Sequence, residues 1–209
     1  MENGKIREIR TLYKNPHLNF YHMDALTDSG REFDYFFASR NDEDHIKAKT
    51  GVIRAEGVVI YALLKEDPGK IVLIRQYRYP VGDYLYELPA GLIDADETPE
   101  KAAVREMREE TGMRLSVCED IDGMWKKPLY MAQGMSDEAC SAVFGYAEGA
   151  MSRNLAEDTE SITVTVADRK EVRRILRTEQ VSLRMAYLMM IFLNADPSDP
   201  FAFLRENRD

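Results

Sequence analysis

The chain has 209 residues, 44% of them hydrophobic and 31% charged, and its 37 acidic side chains outnumber 28 basic ones to give a net charge of −9. That length supports one full core with a small appendage, and the composition is that of an ordinary globular protein. The acidic balance argues against a general nucleic-acid binder, which needs a basic surface. Three histidines (His17, His22, His45) and two cysteines (Cys118, Cys140) lack ligand spacing, which argues against a zinc site or a disulfide scaffold.

The opening stretch MENGKIREIR has no apolar core, so no signal peptide is expected, and the protein is expected to be cytoplasmic. Residues 4–40 alternate apolar and polar positions between an NPH turn and a DSG turn, which predicts two or three antiparallel strands. The charged stretch RNDEDHIKAK is expected to link them to the next part. Gly57–Leu64, GVVIYALL, is a continuous apolar strand. KEDPGK turns the chain at Pro68-Gly69, and a second strand begins at Ile71.

After YLYELPAGLIDADE the signals change to helical. Thr98 suits an N-cap, Pro99 the first helical position and Glu100 the positive helix end, while Gly112 suits the left-handed residue that stops a helix. Strands are expected near 113–118, 122–127, 139–147 and 161–167. Helices are expected near 168–177 and from Ser182 to about Asn194. The apolar run Met185–Leu193 is about half of a membrane span, and is expected to be core or a dimer contact. Trp125 is expected in the core or at an interface. Mixed strands and helices in this order predict an α/β sandwich.

The octapeptide REMREETG, Arg105–Gly112, crowds three carboxylates into five residues. On a helix Glu106 and Glu110 share a face and Glu109 lies beside them, an arrangement that costs stability through repulsion. Taken alone, it reads most simply as a solvated glutamate-rich face. Its context, GLIDADETPEKAAVREMREETGM (Gly91–Met113), changes that. Gly91, Glu97, Arg105, Glu106, Glu109, Glu110 and Gly112 stand at the fixed spacings Gly-x5-Glu-x7-Arg-Glu-U-x-Glu-Glu-x-Gly-U, where U is bulky and aliphatic. Met107 and Met113 fill the U positions. Chance produces such a match in one chain on the order of once in a million, at a frequency of roughly 7% per residue type.

This segment resembles the Nudix box, and no fixed position departs from the pattern. The resemblance implies a Nudix-type α/β/α sandwich with a mixed sheet, preceded by a small antiparallel β domain. It also implies divalent-metal-dependent hydrolysis of a nucleoside diphosphate linked to another group. Elementary chemistry is consistent with it: a hard cation such as Mg²⁺ takes oxygen ligands, cancels the charge of clustered carboxylates and lowers the pKa of a bound water. Glu106 and Glu110 are the expected metal ligands, joined by the Ala90 carbonyl by family resemblance. Glu109 is expected in both the metal-binding and the catalytic set. Arg105 is expected to pair with a glutamate and Glu97 to support the ligands. Mg²⁺ is the expected cofactor, with Mn²⁺ as a substitute.

Residues outside the box narrow the resemblance. VLIRQYRYP followed by ELPAGLID, Pro128 sixteen residues beyond Gly112, and GMSDEAC (Gly134–Cys140) are similar to the ADP-ribose pyrophosphatase branch. That likeness implies hydrolysis of ADP-ribose to AMP and ribose 5-phosphate. The same chemistry on GDP-mannose or ADP-glucose is the alternative, and a non-catalytic sensor of nucleotide sugars is a third reading. It further implies an N-terminal β domain over residues 1–48 that exchanges between the subunits of a homodimer, a hydrolase domain over 49–195 and a tail over 196–209. A small nucleoside diphosphate is the expected partner, with no nucleic acid and no membrane. Arg78 is expected to contact the pyrophosphate, Glu138 a ribose hydroxyl, and Arg54 the base region. The general base is expected from the loop MSRNLAEDTESITV, with Glu160 first and Glu157 and Asp158 as the other candidates.

Overall fold

The computed structural model describes residues 4–152 and 161–205. The chain forms two units, Met1–Glu56 with Pro128–Cys140 and Gly57–Lys127 with Ser141–Asp209.

The first unit is built on an antiparallel sheet of β1 (Ile6–Tyr13), β2 (Asn19–Leu26) and β3 (Glu32–Ser39) in that order. The turns follow from local chemistry. Asn15 folds its side-chain oxygen back to accept from the N–H groups of His17 and Leu18, the local bond that makes asparagine a turn residue. Gly30 closes the DSG turn at φ 81°, where a side chain would be strained. Ile9, Tyr21, Phe37 and Ile46 form the unit's core, with the Tyr21 and Phe37 rings stacked at 5.3 Å.

The stretch expected as a bare linker is structural instead. Ile46 is fully buried, and α1 (Lys47–Thr50) ends on Gly51 at φ 68°. The Lys47 ammonium is buried as an ion pair with Glu56, whose other oxygen accepts the Ala139 N–H at 2.8 Å. A buried charge is tolerated when it is paired and hydrogen-bonded, so the charges that suggested solvent here serve the interior.

The second unit is an α/β/α sandwich around a sheet ordered β11-β5-β4-β10-β8. These strands are β4 (Gly57–Leu64), β5 (Lys70–Arg78), β8 (Arg114–Val117), β10 (Ala139–Glu148, beginning in the first unit) and β11 (Ile162–Asp168). All of β4 is buried, which is why it reads as an unbroken apolar run. Val58, Ile60, Ala62 and Leu64 cluster with Ala102, Ala103 and Met107 of helix α2 (Pro99–Thr111). From the alternate positions of β4, Tyr61 packs its ring tilted against Phe144 and edge-on to Phe201 and Phe203. Burying a side chain such as Met107 contributes about 1.5–3 kcal/mol.

β4 and β5 pair beside their turn, at Leu63 with Ile71. Beyond that point another strand lies against each of them. β6 (Asp83–Glu87) pairs with β5, and β7 (Ala90–Leu92) pairs with β4. The chain crosses between them at Leu88-Pro89, where the Pro89 carbonyl accepts from Ile60 N–H at 2.8 Å. This seam in the sheet delivers Ala90 and Gly91 to helix α2.

Helix α2 has the expected ends. Thr98 accepts from the Lys101 N–H with its side chain, Pro99 opens the first turn, and Gly112 closes the helix at φ 75°. The strand expected at 122–127 is a single helical turn, α3 (Gly123–Lys126). Asp122 caps it by accepting from the Met124 N–H at 2.8 Å. That local cap outweighs the Met-Trp pair, and Trp125 stands 37% exposed rather than in a core. A two-residue strand, β9 (Leu129–Tyr130), pairs with the start of β10. After β11 come α4 (Arg169–Thr178) and α5 (Leu183–Asn194). α5 buries Met185, Met189 and Phe192, whereas Leu183, Tyr187 and Met190 are exposed. Phe201 and Leu204 are buried around a short 3-10 turn, Ala202–Leu204. Among the described residues no helix is long and apolar enough to cross a membrane.

Candidate active site

The site lies where the seam meets α2. Glu106, Glu109 and Glu110 occupy neighbouring positions of one helix. Glu110 is buried, and its Oε2 accepts the Ala90 N–H at 3.1 Å. A Cβ placed on Gly91 would overlap the Glu106 carboxylate. Glycine here is a requirement of close approach: the backbone of β7 lies against a carboxylate, which leaves no space for a side chain.

Arg105 ties the acids together. Its guanidinium grips Glu97 with two bonds, Nε to Oε1 at 3.0 Å and Nη2 to Oε2 at 2.8 Å. Nη1 donates to Glu106 at 2.7 Å and to Glu109 at 2.9 Å, and Nη2 also reaches the Leu92 carbonyl at 2.8 Å. The bonds from Arg105 hold the Glu97 carboxyl below the ordinary glutamate range. In return Glu97, then Glu106 and Glu109, push the guanidinium above its ordinary value. This forked geometry belongs to arginine, whose planar donors match a carboxylate.

Glu97, Glu106, Glu109 and Glu110 bring four carboxylates together here, three of them bonded by Arg105. The donor set is all oxygen, as hard divalent cations prefer. Glu106, Glu109, Glu110 and the carbonyl of Ala90 are the groups that could hold such ions. The carboxylates are turned toward Arg105 and the Ala90 N–H, so they do not form a tight cage. Among the described residues, one trio does bring its ligand atoms within 4.8 Å of one another: His22, Asp24 and Asp34 on the N-terminal sheet. There the Arg10 guanidinium already sits 2.8 Å from Asp24 and 3.0 Å from His22 Nδ1, and His22 Nε2 lies 2.7 Å from Asp34. It is an ion-pair network supplied with its own cation.

The other expected residues are distributed as follows. Arg78 ends β5, and its Nε donates to Glu87 at 2.5 Å. Glu138 and Arg54 belong to the first unit, where Arg40 binds Glu138 at 2.6 Å and Arg54 is exposed. Glu157, Asp158 and Glu160 lie outside the described residues. Sequence reasoning missed Glu87, which is 5% exposed and bound by both Arg78 and Arg184. Its signal was a lone acid closing the otherwise apolar and aromatic run YLYELP.

The NUDIX domain model matches residues 53–184. The chain belongs to the Nudix family. Putative nudix hydrolase 2 of Caenorhabditis elegans is 37% identical to this Nudix chain over 149 residues, covering 69% of this chain and 60% of the worm protein. The ADP-ribose pyrophosphatase of Mycobacterium tuberculosis is 37% identical over 111 residues, 49% of each chain. The chain thus spans between about half and three fifths of the length of these relatives. A solved structure titled "Crystal structure of ADP compounds hydrolase" superposes with a TM-score of 0.64 over 88% of this chain and 89% of that one, at 19% identity. At that identity the likeness speaks for the fold. It agrees with the Nudix sandwich and preceding β sheet expected from the box.

Proposed function

We propose that this Nudix chain hydrolyses the pyrophosphate bond of ADP-ribose to AMP and ribose 5-phosphate, with Mg²⁺ as its cofactor. The observation that carries the proposal is the convergence of Glu106, Glu109 and Glu110 with the Ala90–Gly91 backbone, which gathers an all-oxygen donor set. Bound Mg²⁺ would neutralise the pyrophosphate and lower the pKa of a water. Ala90, Glu106, Glu109 and Glu110 would hold it. Arg105 and Glu97 keep the acids in place beforehand, which limits the ordering left for the moment of binding.

In the reaction a water oxygen bonds to one phosphorus, the bridging P–O bond breaks, and the water's proton passes to a carboxylate. Glu160 is our first choice for that base, ahead of Glu157 and Asp158, on its position just before β11. Arg78 contacts the pyrophosphate, and Glu138 and Arg54 serve the ribose and base. Relatives named as ADP-ribose pyrophosphatases support the substrate.

The test is phosphate release, coupled to a phosphatase, from ADP-ribose, ADP-glucose, GDP-mannose, UDP-glucose, NADH and diadenosine polyphosphates, each with Mg²⁺ or Mn²⁺. We expect the highest kcat/KM for ADP-ribose. A preference for a sugar nucleotide would keep the chemistry and replace the substrate. No turnover of any compound would leave a binding module.

A further inference from the structure

Arg184 has no part in the Nudix box, and its position is unfavourable for stability alone. It is the second residue of α5, at the end of the helix where the backbone dipole is positive, and no acid stands in that first turn to offset it. The chain leading into α5 is stitched to β6: Tyr86 N–H donates to the Gln180 carbonyl at 2.9 Å, and Ser182 N–H to the Tyr86 carbonyl at 3.3 Å. This fixes the helix start next to Glu87. Arg184 Nη2 reaches Glu87 Oε1 at 3.4 Å while Arg78 occupies Oε2.

Two guanidiniums from separate elements therefore share one buried carboxylate. Glu87 cancels one of them and leaves one positive charge. Both arginines remain well exposed, at 38% and 40% of their side chains. Glu87 also lies three residues before Ala90, a span of at most about 10 Å. A cationic pair thus stands within reach of an acidic, cation-seeking cluster. Diphosphates have the complementary pattern, since they carry anionic oxygens for arginines and can share cations with glutamates.

We propose that Arg184 is a substrate-binding residue, contacting phosphate oxygens beside Arg78, and that Glu87 positions both. This rests on the pyrophosphatase reading for the identity of the substrate, but not for the anion. Glu87 is a positioning residue: it orients the two forks and does not touch phosphate.

The experiment is steady-state kinetics of Arg184→Ala and Arg184→Lys on whichever nucleoside diphosphate of the panel is cleaved. Alongside it, calorimetric titration of inorganic pyrophosphate into the full chain with Mg²⁺ is run, and a melting curve is recorded for each variant. We expect Arg184→Ala to raise KM and the pyrophosphate Kd together, about tenfold, the scale of one charge-assisted hydrogen bond. kcat should stay within about threefold, the signature of uniform binding. Arg184→Lys should recover part of the loss, and the melting temperature should not fall. Unchanged KM and Kd would overturn the proposal, whether or not the variant is less stable. If ADP-ribose is not cleaved but the Kd still rises tenfold, the arginine pair stands and the substrate reading falls.

Discussion

Glu110 combines two properties that rarely coexist on a surface helix: it is buried, and its carboxylate is held by a backbone N–H from another element. Glu110→Gln keeps the shape and can still accept from Ala90 N–H, so the fold should survive with a melting temperature within a few degrees of the parent. It removes a charged ligand. Even the outer partners of metal ligands are worth about 10- to 100-fold, so kcat should fall by more than about 100-fold in a Mg²⁺ assay. Measured turnover close to wild type would remove Glu110 from the metal set. At this scale the sequence was informative where spacing encodes geometry. Gly91 and Glu106 stand at fixed positions of one motif, and they meet in space. Glu87 was illegible for the opposite reason. Its meaning comes from Arg78, nine residues away, and Arg184, ninety-seven residues away, and no local pattern records that meeting.

Helix α2 is bounded by signals that act within a few residues, Thr98-Pro99 at one end and Gly112 at the other, so its limits were legible. The seam was not. Pairing β6 with β5 and β7 with β4 depends on how far the two central strands diverge, which apolar periodicity does not express. α3 was misread because a cap bond from Asp122 decides it, not the apolar Met124 and Trp125. The loop between the seam and α2 is fastened by the Glu97–Arg105 pair, and this gives a pH dependence. The pair lowers the folded pKa of Glu97. Its stabilisation is therefore present above the unfolded glutamate pKa, about 4.3, and is lost as pH falls through the lower folded value. Glu97→Gln should be less stable than the parent at pH 7, and the two should converge as pH falls below about 4. Urea midpoints from pH 3 to 7 check this. An equal gap at both ends of the range would mean that the ion pair is not its source.

The net charge of −9 is unevenly spread, with the carboxylates of Glu97, Glu106, Glu109 and Glu110 gathered on α2 and the loop before it. Divalent cations should therefore stabilise the folded chain more than their ionic strength does. A ligand at a hundred times its Kd adds about 2.7 kcal/mol. Millimolar MgCl₂ should raise the melting temperature above that in NaCl of matched ionic strength, and ADP-ribose should raise it further. Scanning calorimetry that finds no difference between the two salts would count against the metal site. The N-terminal sheet was legible, because alternation over residues 4–40 announces its strands. The return of 128–140 to the first unit was not. A thirteen-residue excursion has too few positions to carry a periodic signal, and its bonds, such as Ala38 N–H to the Met135 carbonyl and Arg40 to Glu138, are long-range.

That return limits how the molecule can be rearranged over generations. Because the backbone crosses between the units at residues 56, 127 and 140, the N-terminal unit is not a detachable cassette. Cutting the gene after codon 56 would leave Glu138 without Arg40 and would strand Lys47's partner Glu56 from the Ala139 backbone it binds. Recombination that imports a new N-terminal sheet must therefore import its own version of 128–140 as well. Lineages that diverge in one segment are expected to diverge in the other in step, as two exons of a single inherited part.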